Sequence, residues 1–373
     1  MIAVGCGASV LVALDVDGTV MSSDGAIAAA VHRSIGLVRA AGHRVVLATG
    51  RSLAGVLPVA ERLGLADGHV VCSNGAMTIR LDPNAPGGYR FVRSELFDAT
   101  AVIRRVLEFE PAARIAVEEP GWGWRVNVLF GLGQVNGEQK TASIADLCSS
   151  PATRVALAAP RLARHLDALR ATGATITRAG ESWLDATGPG TTKATALEAL
   201  RESYGIPRQA TVAVGDSEND LEALAWAGRG ICMGHAPSAV RDVADEITGS
   251  IDEHGVATAL SSLLPDVNTT GLPDLAAQLA IAVESAPGVA KARVWHGPGA
   301  ELAGAEVHSA VARTWARRAP IPAAVGGTML TFTDAADQAG LAYPTTDLGL
   351  RARWTRTEPD NGPTLYELPL WRR

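Results

Sequence analysis

The sequence predicts an α/β protein built on a doubly wound, Rossmann-like parallel sheet, with an inserted α+β cap domain and a small C-terminal α+β domain. Two observations lead to this prediction. Short apolar runs alternate with amphipathic helical patterns near the N-terminus, and the same alternation returns between residues 193 and 248. Polar residues also follow the C-terminal ends of several of these strands or begin the helices. Doubly wound sheets bind ligands at that edge.

The N-terminal half of the core shows the alternation most clearly. The apolar run 10–14 is typical of a buried parallel strand, since it is continuous and branched. Further strands are predicted over 44–47 and 69–72, with helices over 26–40 and 52–63 between them. Ser52 is a plausible N-cap for the second helix. Strand, helix, strand, helix and strand within so short a stretch indicate a doubly wound unit.

The second half of the core follows a long interval of different texture. Thr191 or Thr192 caps a predicted helix over 193–204. Later elements are predicted at 211–214, 219–226, 230–233 and 242–248.

The interval itself is predicted to hold strands over 90–93, 114–117, 124–130, 154–158 and 174–177, with helices over 98–109 and 160–171. We therefore predict a core of residues 1–79 and 186–264, and an inserted α+β cap domain over 80–185.

A polar linker precedes the last hundred residues, which form a third unit over 271–373. Helices are predicted over 275–283 and 304–318. Strands are predicted over 289–295, 328–333, 348–353 and 365–370. This extension resembles no family that we recognise. The sequence does not determine the function of this extension. The two candidates are a ligand-binding module and a dimerisation module.

Composition excludes several classes of function. The formal net charge is −6 and the pI is about 5.8, which argues against a general nucleic-acid binder. The four cysteines are scattered and lack zinc spacing, as expected of a reduced, cytoplasmic protein. No apolar window is long enough for a transmembrane helix, so we expect no membrane partner. A homodimer is compatible with the sequence.

Two carboxylates follow the first strand. Asp15 and Asp17 are two residues apart, and carboxylates this close repel each other unless a cation or a proton intervenes. A hard divalent ion such as Mg²⁺ fits oxygen ligands of this kind. Gly18 allows a tight turn, and Thr19 can hydrogen-bond back to the loop.

Phosphate-binding groups follow at the second strand and at a later helix. Thr49, Gly50 and Arg51 offer a hydroxyl and backbone N–H groups beside a helix N-terminus, which suits a phosphate oxygen. Lys193 begins a helix and can supply a positive charge to a phosphoryl group. Arg51 alone would equally fit an ordinary helix-surface arginine.

The run 215–220 completes the set. Asp216 directly follows an apolar strand and can reach the same cation as Asp15. Asp220 can orient Lys193 or a metal-bound water. Each motif is weak alone, but their order, spacing and placement at strand ends make a chance arrangement improbable.

These residues resemble the four motifs of the haloacid dehalogenase-like superfamily, and within it the Cof-type sugar-phosphatase branch. The resemblance covers about 10–264 and includes Ser73-Asn74-Gly75, although Asn74 would also fit a plain turn. In that branch an α/β cap is inserted between the second and third motifs, where residues 80–185 lie. Within this cap lie Trp122, Trp124, Arg125 and Asn127. We favour packing within the cap over substrate selection as the role of these side chains.

The resemblance implies roles for these residues. Asp15 would be the nucleophile that forms an aspartyl-phosphate, and Asp17 the general acid and base. Mg²⁺ would be held by Asp15, the backbone carbonyl of Asp17, and Asp216. Thr49, Gly50, Arg51, Lys193 and Asn219 would bind the phosphoryl group or substrate, while Thr19, Asn74 and Asp220 would support the site.

The implied activity is hydrolysis of a small phosphomonoester, a sugar phosphate or related metabolite. A phosphomutase or a dedicated disaccharide-phosphate phosphatase would use the same core. A regulatory protein that merely senses a ligand is the alternative from another class. The intact acidic residues and lysine argue against it for the core, but it stays open for the extension.

Overall fold

The computed structural model describes residues 9–264 and the backbone of seven strands between 289 and 371. Within residues 9–264 the strands are β1 Leu11–Leu14, β2 Arg44–Ala48, β3 Gly68–Cys72, β4 Met77–Leu81, β5 Tyr89–Ser94, β6 Arg114–Glu119, β7 Gly123–Val126, β8 Glu138–Thr141, β9 Arg154–Ala158, β10 Thr175–Gly180, β11 Trp183–Thr187, β12 Thr211–Gly215, β13 Arg229–Cys232 and β14 Glu246–Ile247. The α-helices there are α1 Ala29–Ala40, α2 Leu53–Arg62, α3 Thr100–Phe109, α4 Ile144–Leu147, α5 Leu166–Arg170, α6 Lys193–Ser203, α7 Leu221–Trp226, α8 Ser238–Arg241 and α9 Gly255–Ser261.

The first sheet has eight strands in the order β14-β13-β12-β1-β2-β3-β4-β5. Its pairings are parallel from β14 to β3, and β4 and β5 add an antiparallel edge. All four residues of β1 are buried, as expected for a central parallel strand. Strand β1 lies between β2 and β12, so the chain order reverses there. This is the switch point at which open α/β sheets bind ligands.

Local sequence explains why the helices begin where they do. Ser52 caps α2 by accepting a hydrogen bond from the Gly55 N–H, as predicted. Thr192 caps α6, and its hydroxyl accepts from the Thr195 N–H. Both caps place the first helical residues at the C-terminal edge of the first sheet, beside the ends of β2 and β3.

The second sheet has six strands in the order β10-β11-β9-β6-β7-β8, antiparallel except for the β7–β8 pair. Helices α3 and α5 cover one face. Ile103 and Leu169 from these helices are fully buried with Ile115, Val155 and Leu184 of the sheet. The inserted segment therefore has a hydrophobic core of its own.

The structure differs from the predicted insert at both its start and its interior. The segment predicted as a strand at 90–93 is β5, and it pairs with β4 as the edge of the first sheet. The second sheet thus starts only after Ser94. The strand predicted over 124–130 ends at Val126, and β8, α4 and β11 were not predicted.

Seven strands are described beyond residue 264. Five form an antiparallel sheet in which Leu302–Ser309 lies between Val289–His296 and Leu365–Trp371. Arg351–Thr357 and Gly340–Pro344 complete this sheet, and the remaining two strands, Ala323–Val325 and Thr328–Leu330, pair with each other. The helix predicted over 304–318 is wrong for 304–309, because apolar residues at helical spacing there alternate equally well along a strand. Residues 310–318 and the helix predicted over 275–283 lie outside the described residues.

Within the described part of the chain, no helix is long and apolar enough to cross a membrane.

Candidate active site

A cavity of about 510 Å³ lies at the C-terminal edge of the first sheet. Asp15 and Thr49 line it from the ends of β1 and β2. Trp124, Arg154 and Trp183 line it from the second sheet. Because both sheets contribute walls, a ligand here would touch the strand ends and the inserted segment together.

Lys193 lies beneath this cavity and is 1% exposed. Its Nζ atom donates to Asp15 Oδ1 at 2.6 Å and to Asp220 Oδ1 at 2.7 Å. Burial alone would lower the pKa of Lys193, but the attraction of Asp15 and Asp220 outweighs it and raises that pKa above its ordinary value. The lysine therefore stays charged at the bottom of the site.

Three carboxylates converge beside the lysine. One oxygen from each of Asp15, Asp216 and Asp220 lies within 4.8 Å of the others. Burial and the charge of Asp220 raise the pKa of Asp15 well above its usual range, although Lys193 opposes this. The same two causes raise the pKa of Asp216 to about 6. Because Asp15 and Asp216 resist ionisation in this way, both would gain from a bound cation.

The loop after β1 helps to hold Asp216 in this group. Thr19 Oγ1 donates to Asp216 Oδ1 at 2.9 Å. Gly18 has a φ of +81°, and a Cβ atom there would lie 2.3 Å from Asp216 Oδ2. Only glycine fits such a position. Asp220 is held differently, because its Oδ2 accepts from the backbone N–H groups of Asp216 and Ser217.

Asp17 has a partner of its own. Arg51 donates from Nε to Asp17 Oδ2 at 2.7 Å and from Nη2 to Asp17 Oδ1 at 2.6 Å, a bidentate pair. The Asp17 side chain is 57% exposed, whereas Asp15 is buried. Sequence reasoning considered one cation between the carboxylates of Asp15 and Asp17. The structure instead gives them separate partners.

The loops after β2 and β3 meet under the cavity. Thr49 is buried and its hydroxyl accepts from the Arg51 N–H. Asn74 is buried at a φ of 53°, and its Oδ1 accepts from Asn219 Nδ2 at 3.2 Å. A Cβ atom on Gly50 would lie 3.0 Å from Asn74 Oδ1. All eleven predicted site residues therefore lie close together. Arg51, which was predicted to bind the phosphoryl group or substrate, contacts Asp17 in this structure.

Sequence reasoning missed three buried charged residues from the second sheet. Arg154 donates to Glu118 Oε2 at 3.2 Å and to Asp185 Oδ2 at 3.3 Å, and it also donates to the Gly50 carbonyl. Asp185 Oδ2 accepts from Asn74 Nδ2 at 3.1 Å. This network joins the insert to the loops after β2 and β3. In the sequence, the only indication of these three residues was that each lies within, or at one end of, an otherwise apolar run.

A family model described as haloacid dehalogenase-like hydrolase matches residues 12–86 and 153–260. The gap between the two matched segments falls on the insert.

Two curated relatives are similar over most of their length. The chain is 25% identical over 264 residues to 5-amino-6-(5-phospho-D-ribitylamino)uracil phosphatase YitU of Bacillus subtilis, covering 67% of this chain and 96% of that protein. It is 29% identical over 251 residues to a phosphoglycolate phosphatase of Halorubrum lacusprofundi, again covering 67% and 96%.

A solved structure of a haloacid dehalogenase-like hydrolase from B. subtilis has the same fold. The TM-score is 0.59 at 24% identity, over 69% of this chain and 100% of that one.

Proposed function

Because the chain belongs to the haloacid dehalogenase-like superfamily as a Cof-type phosphoric monoester hydrolase, we propose that it is a Mg²⁺-dependent phosphatase with an aspartyl-phosphate intermediate on Asp15. The proposed substrate is a small phosphomonoester, either a sugar phosphate or a related metabolite. Residues 1–79 and 186–264 would form the catalytic core. The insert, predicted over 80–185 and forming its own sheet only after Ser94, would act as the cap that selects the leaving group.

The observation that carries this proposal is the buried contact between Asp15 and Lys193 at a strand end. A carboxylate nucleophile and a phosphate repel each other, by about 4 kcal/mol for unit charges at 4 Å and an effective dielectric near 20. Lys193 lies 2.6 Å from Asp15 and can offset part of that repulsion. Phosphoryl transfer needs positioning and charge neutralisation above all.

The residues present fit a hard divalent cation. Both oxygens of Asp220 are engaged by Lys193 and by backbone N–H groups. Asp15 and Asp216 each have an oxygen beyond their hydrogen bonds to Lys193 and Thr19. We therefore assign Mg²⁺ to Asp15 and Asp216, with the backbone carbonyl of Asp17 as the further ligand that the family resemblance implies. Bound there, Mg²⁺ would neutralise negative charge on the carboxylates and the phosphoryl oxygens.

The chain's own groups account for both proposed steps. Thr49 and Lys193 hold the phosphoryl oxygens while a carboxylate oxygen of Asp15 attacks phosphorus. The bond to the leaving oxygen breaks, and protonated Asp17 gives its proton to that oxygen. Asp17 then takes a proton from the water that attacks phosphorus, which releases phosphate and restores Asp15.

The experiment that tests this function measures phosphate release from an alkyl phosphate and an aryl phosphate. We expect release from both with Mg²⁺ and none after chelation. Asp17→Asn should lower kcat/KM for the alkyl phosphate by about 10²–10⁴-fold and for the aryl phosphate much less, because an aryl oxide leaves without a proton. The comparison uses kcat/KM because this constant reports formation of the aspartyl-phosphate, whereas hydrolysis of that intermediate needs Asp17 with either substrate. Undiminished release in the presence of chelator, or equal losses of kcat/KM for the two substrates, would contradict the assigned roles.

Magnesium should stabilise the protein more at pH 7.5 than at pH 5. The pKa of Asp216 is raised to about 6, so in the metal-free protein its ionisation is unfavourable relative to the unfolded chain. That cost is absent below about pH 4 and complete above about pH 6. Cation binding requires the ionised form and offsets the cost only at the higher pH.

The measurement is the rise in Tm on adding Mg²⁺ at each pH. Asp216→Asn should remove most of the rise at pH 7.5, whereas the exposed Asp252→Asn should leave it unchanged. A rise that is larger at pH 5, or that survives in Asp216→Asn, contradicts the assignment of this residue.

A further inference from the structure

The charged residues that line the cavity form ion pairs. Its cationic lining residues are Arg51, Arg154 and Arg178, and its acidic ones are Asp15, Asp17, Asp185 and Glu218. Acids therefore outnumber bases on the walls. The pairing of each arginine decides whether any positive charge is left for a ligand.

Each of the three arginines already has acidic partners. Arg51 forms the bidentate pair with Asp17. Arg154 is 5% exposed and donates to Glu118 and Asp185. These two guanidinium groups are therefore neutralised in place.

Arg178 is the third and most exposed of them. It pairs with Glu181, and its Nη1 lies 3.5 Å from Glu218 Oε1. Among the described lining residues, no cation is therefore left unpaired on the side of the cavity away from Lys193.

The remaining wall of that side is uncharged and partly apolar. Trp183 is partly exposed, and its indole N–H donates to Asp185 Oδ1 at 3.2 Å, which fixes the ring. Trp124, Val135 and Ala156 are buried and also line the cavity. A charged group placed against these side chains would lose water without gaining an ionic partner.

We propose that this side of the cavity selects an uncharged leaving alcohol and rejects alcohols that carry a carboxylate or a second phosphate. The inference rests on the proposed function, since it concerns the alcohol that Asp17 would protonate. Hydroxyl and amide groups of an uncharged alcohol can share hydrogen bonds with the polar lining, and its apolar face can lie against Trp183. An anionic alcohol would instead face Asp185 and Glu218.

A matched pair of substrates tests this selection. 2-Hydroxyethyl phosphate and 2-phosphoglycolate have the same two-carbon alcohol skeleton, with a hydroxymethyl group in one where the other has a carboxylate. We expect kcat/KM for 2-hydroxyethyl phosphate to exceed that for 2-phosphoglycolate by about tenfold or more. An aryl phosphate assayed alongside reports whether phosphatase activity is present at all.

The double variant Glu181→Gln/Glu218→Gln tests the cause. It leaves Arg178 without acidic partners at the cavity wall, so the ratio of kcat/KM for 2-hydroxyethyl phosphate to that for 2-phosphoglycolate should fall by about tenfold. Glu181→Gln alone is the matched control and should narrow it less, because Glu218 still faces the arginine. The Tm of each variant shows whether it is folded.

The outcomes separate the two proposals. A wild-type ratio within about threefold of one, a preference for 2-phosphoglycolate, or a ratio that the double variant leaves unchanged would overturn the selection but not the phosphatase. Absence of phosphate release from all three substrates would overturn the proposed function, and the selection with it.

Discussion

Asp15→Asn should lower phosphate release by about 10³-fold or more while the protein stays folded. An amide oxygen cannot form the aspartyl-phosphate, so the proposed route loses its nucleophile. Stability should change little, because Asn has the same shape and removes a buried charge whose pKa is already raised by burial. Lys193 keeps Asp220 as its second partner, at 2.7 Å.

Two measurements make this expectation specific. Phosphate release from an aryl phosphate gives the rate, and mass spectrometry of enzyme quenched during turnover shows whether phosphate is attached at Asp15. Asp15→Glu is the control for position, since it keeps the charge but lengthens the side chain, and it should also be nearly inactive. Turnover of Asp15→Asn equal to that of the wild type would exclude a covalent step on this residue.

Much of the candidate site could be predicted because parallel strands order their ends. Asp15, Thr49 and Asp216 each follow an apolar run closely, and the carboxyl ends of β1, β2 and β12 lie side by side. Lys193 was predictable from the cap that precedes it, since Thr192 fixes where α6 begins. In these cases short-range sequence signals determine where the side chain lies.

The parts that were missed depend on long-range pairing. Arg154 meets Asp185 and Glu118 because β9 pairs with both β11 and β6, and no local pattern fixes that register. The same holds for β5, whose place at the edge of the first sheet follows from its pairing with β4. The contact of Arg51 with Asp17 joins two loops, and the hydrophobic periodicity of the sequence does not predict it either.

The largest effect on stability is expected at Lys193. Lys193→Met keeps the length of the side chain but leaves Asp15 and Asp220 buried without their shared cation. Breaking a buried ion pair by removing one partner costs about 3–5 kcal/mol, because the remaining charge is uncompensated. That is a large fraction of the total of about 5–15 kcal/mol that holds a typical domain folded. The free energy of unfolding in urea, measured at pH 7.5 with chelator, should fall by this amount.

The cause can be separated from a simple packing defect. Asp220→Asn added to Lys193→Met should recover part of the loss, because it removes one of the two stranded charges. Lower pH should also recover part of it: the pKa of Asp15 is already raised in the wild type, and losing the lysine raises it further, so protonation restores stability as the pH falls. The exposed Lys140→Met should shift the free energy of unfolding by no more than about 0.5 kcal/mol. A loss at Lys193 that neither Asp220→Asn nor low pH relieves would mean that packing, and not charge, explains why this lysine is buried.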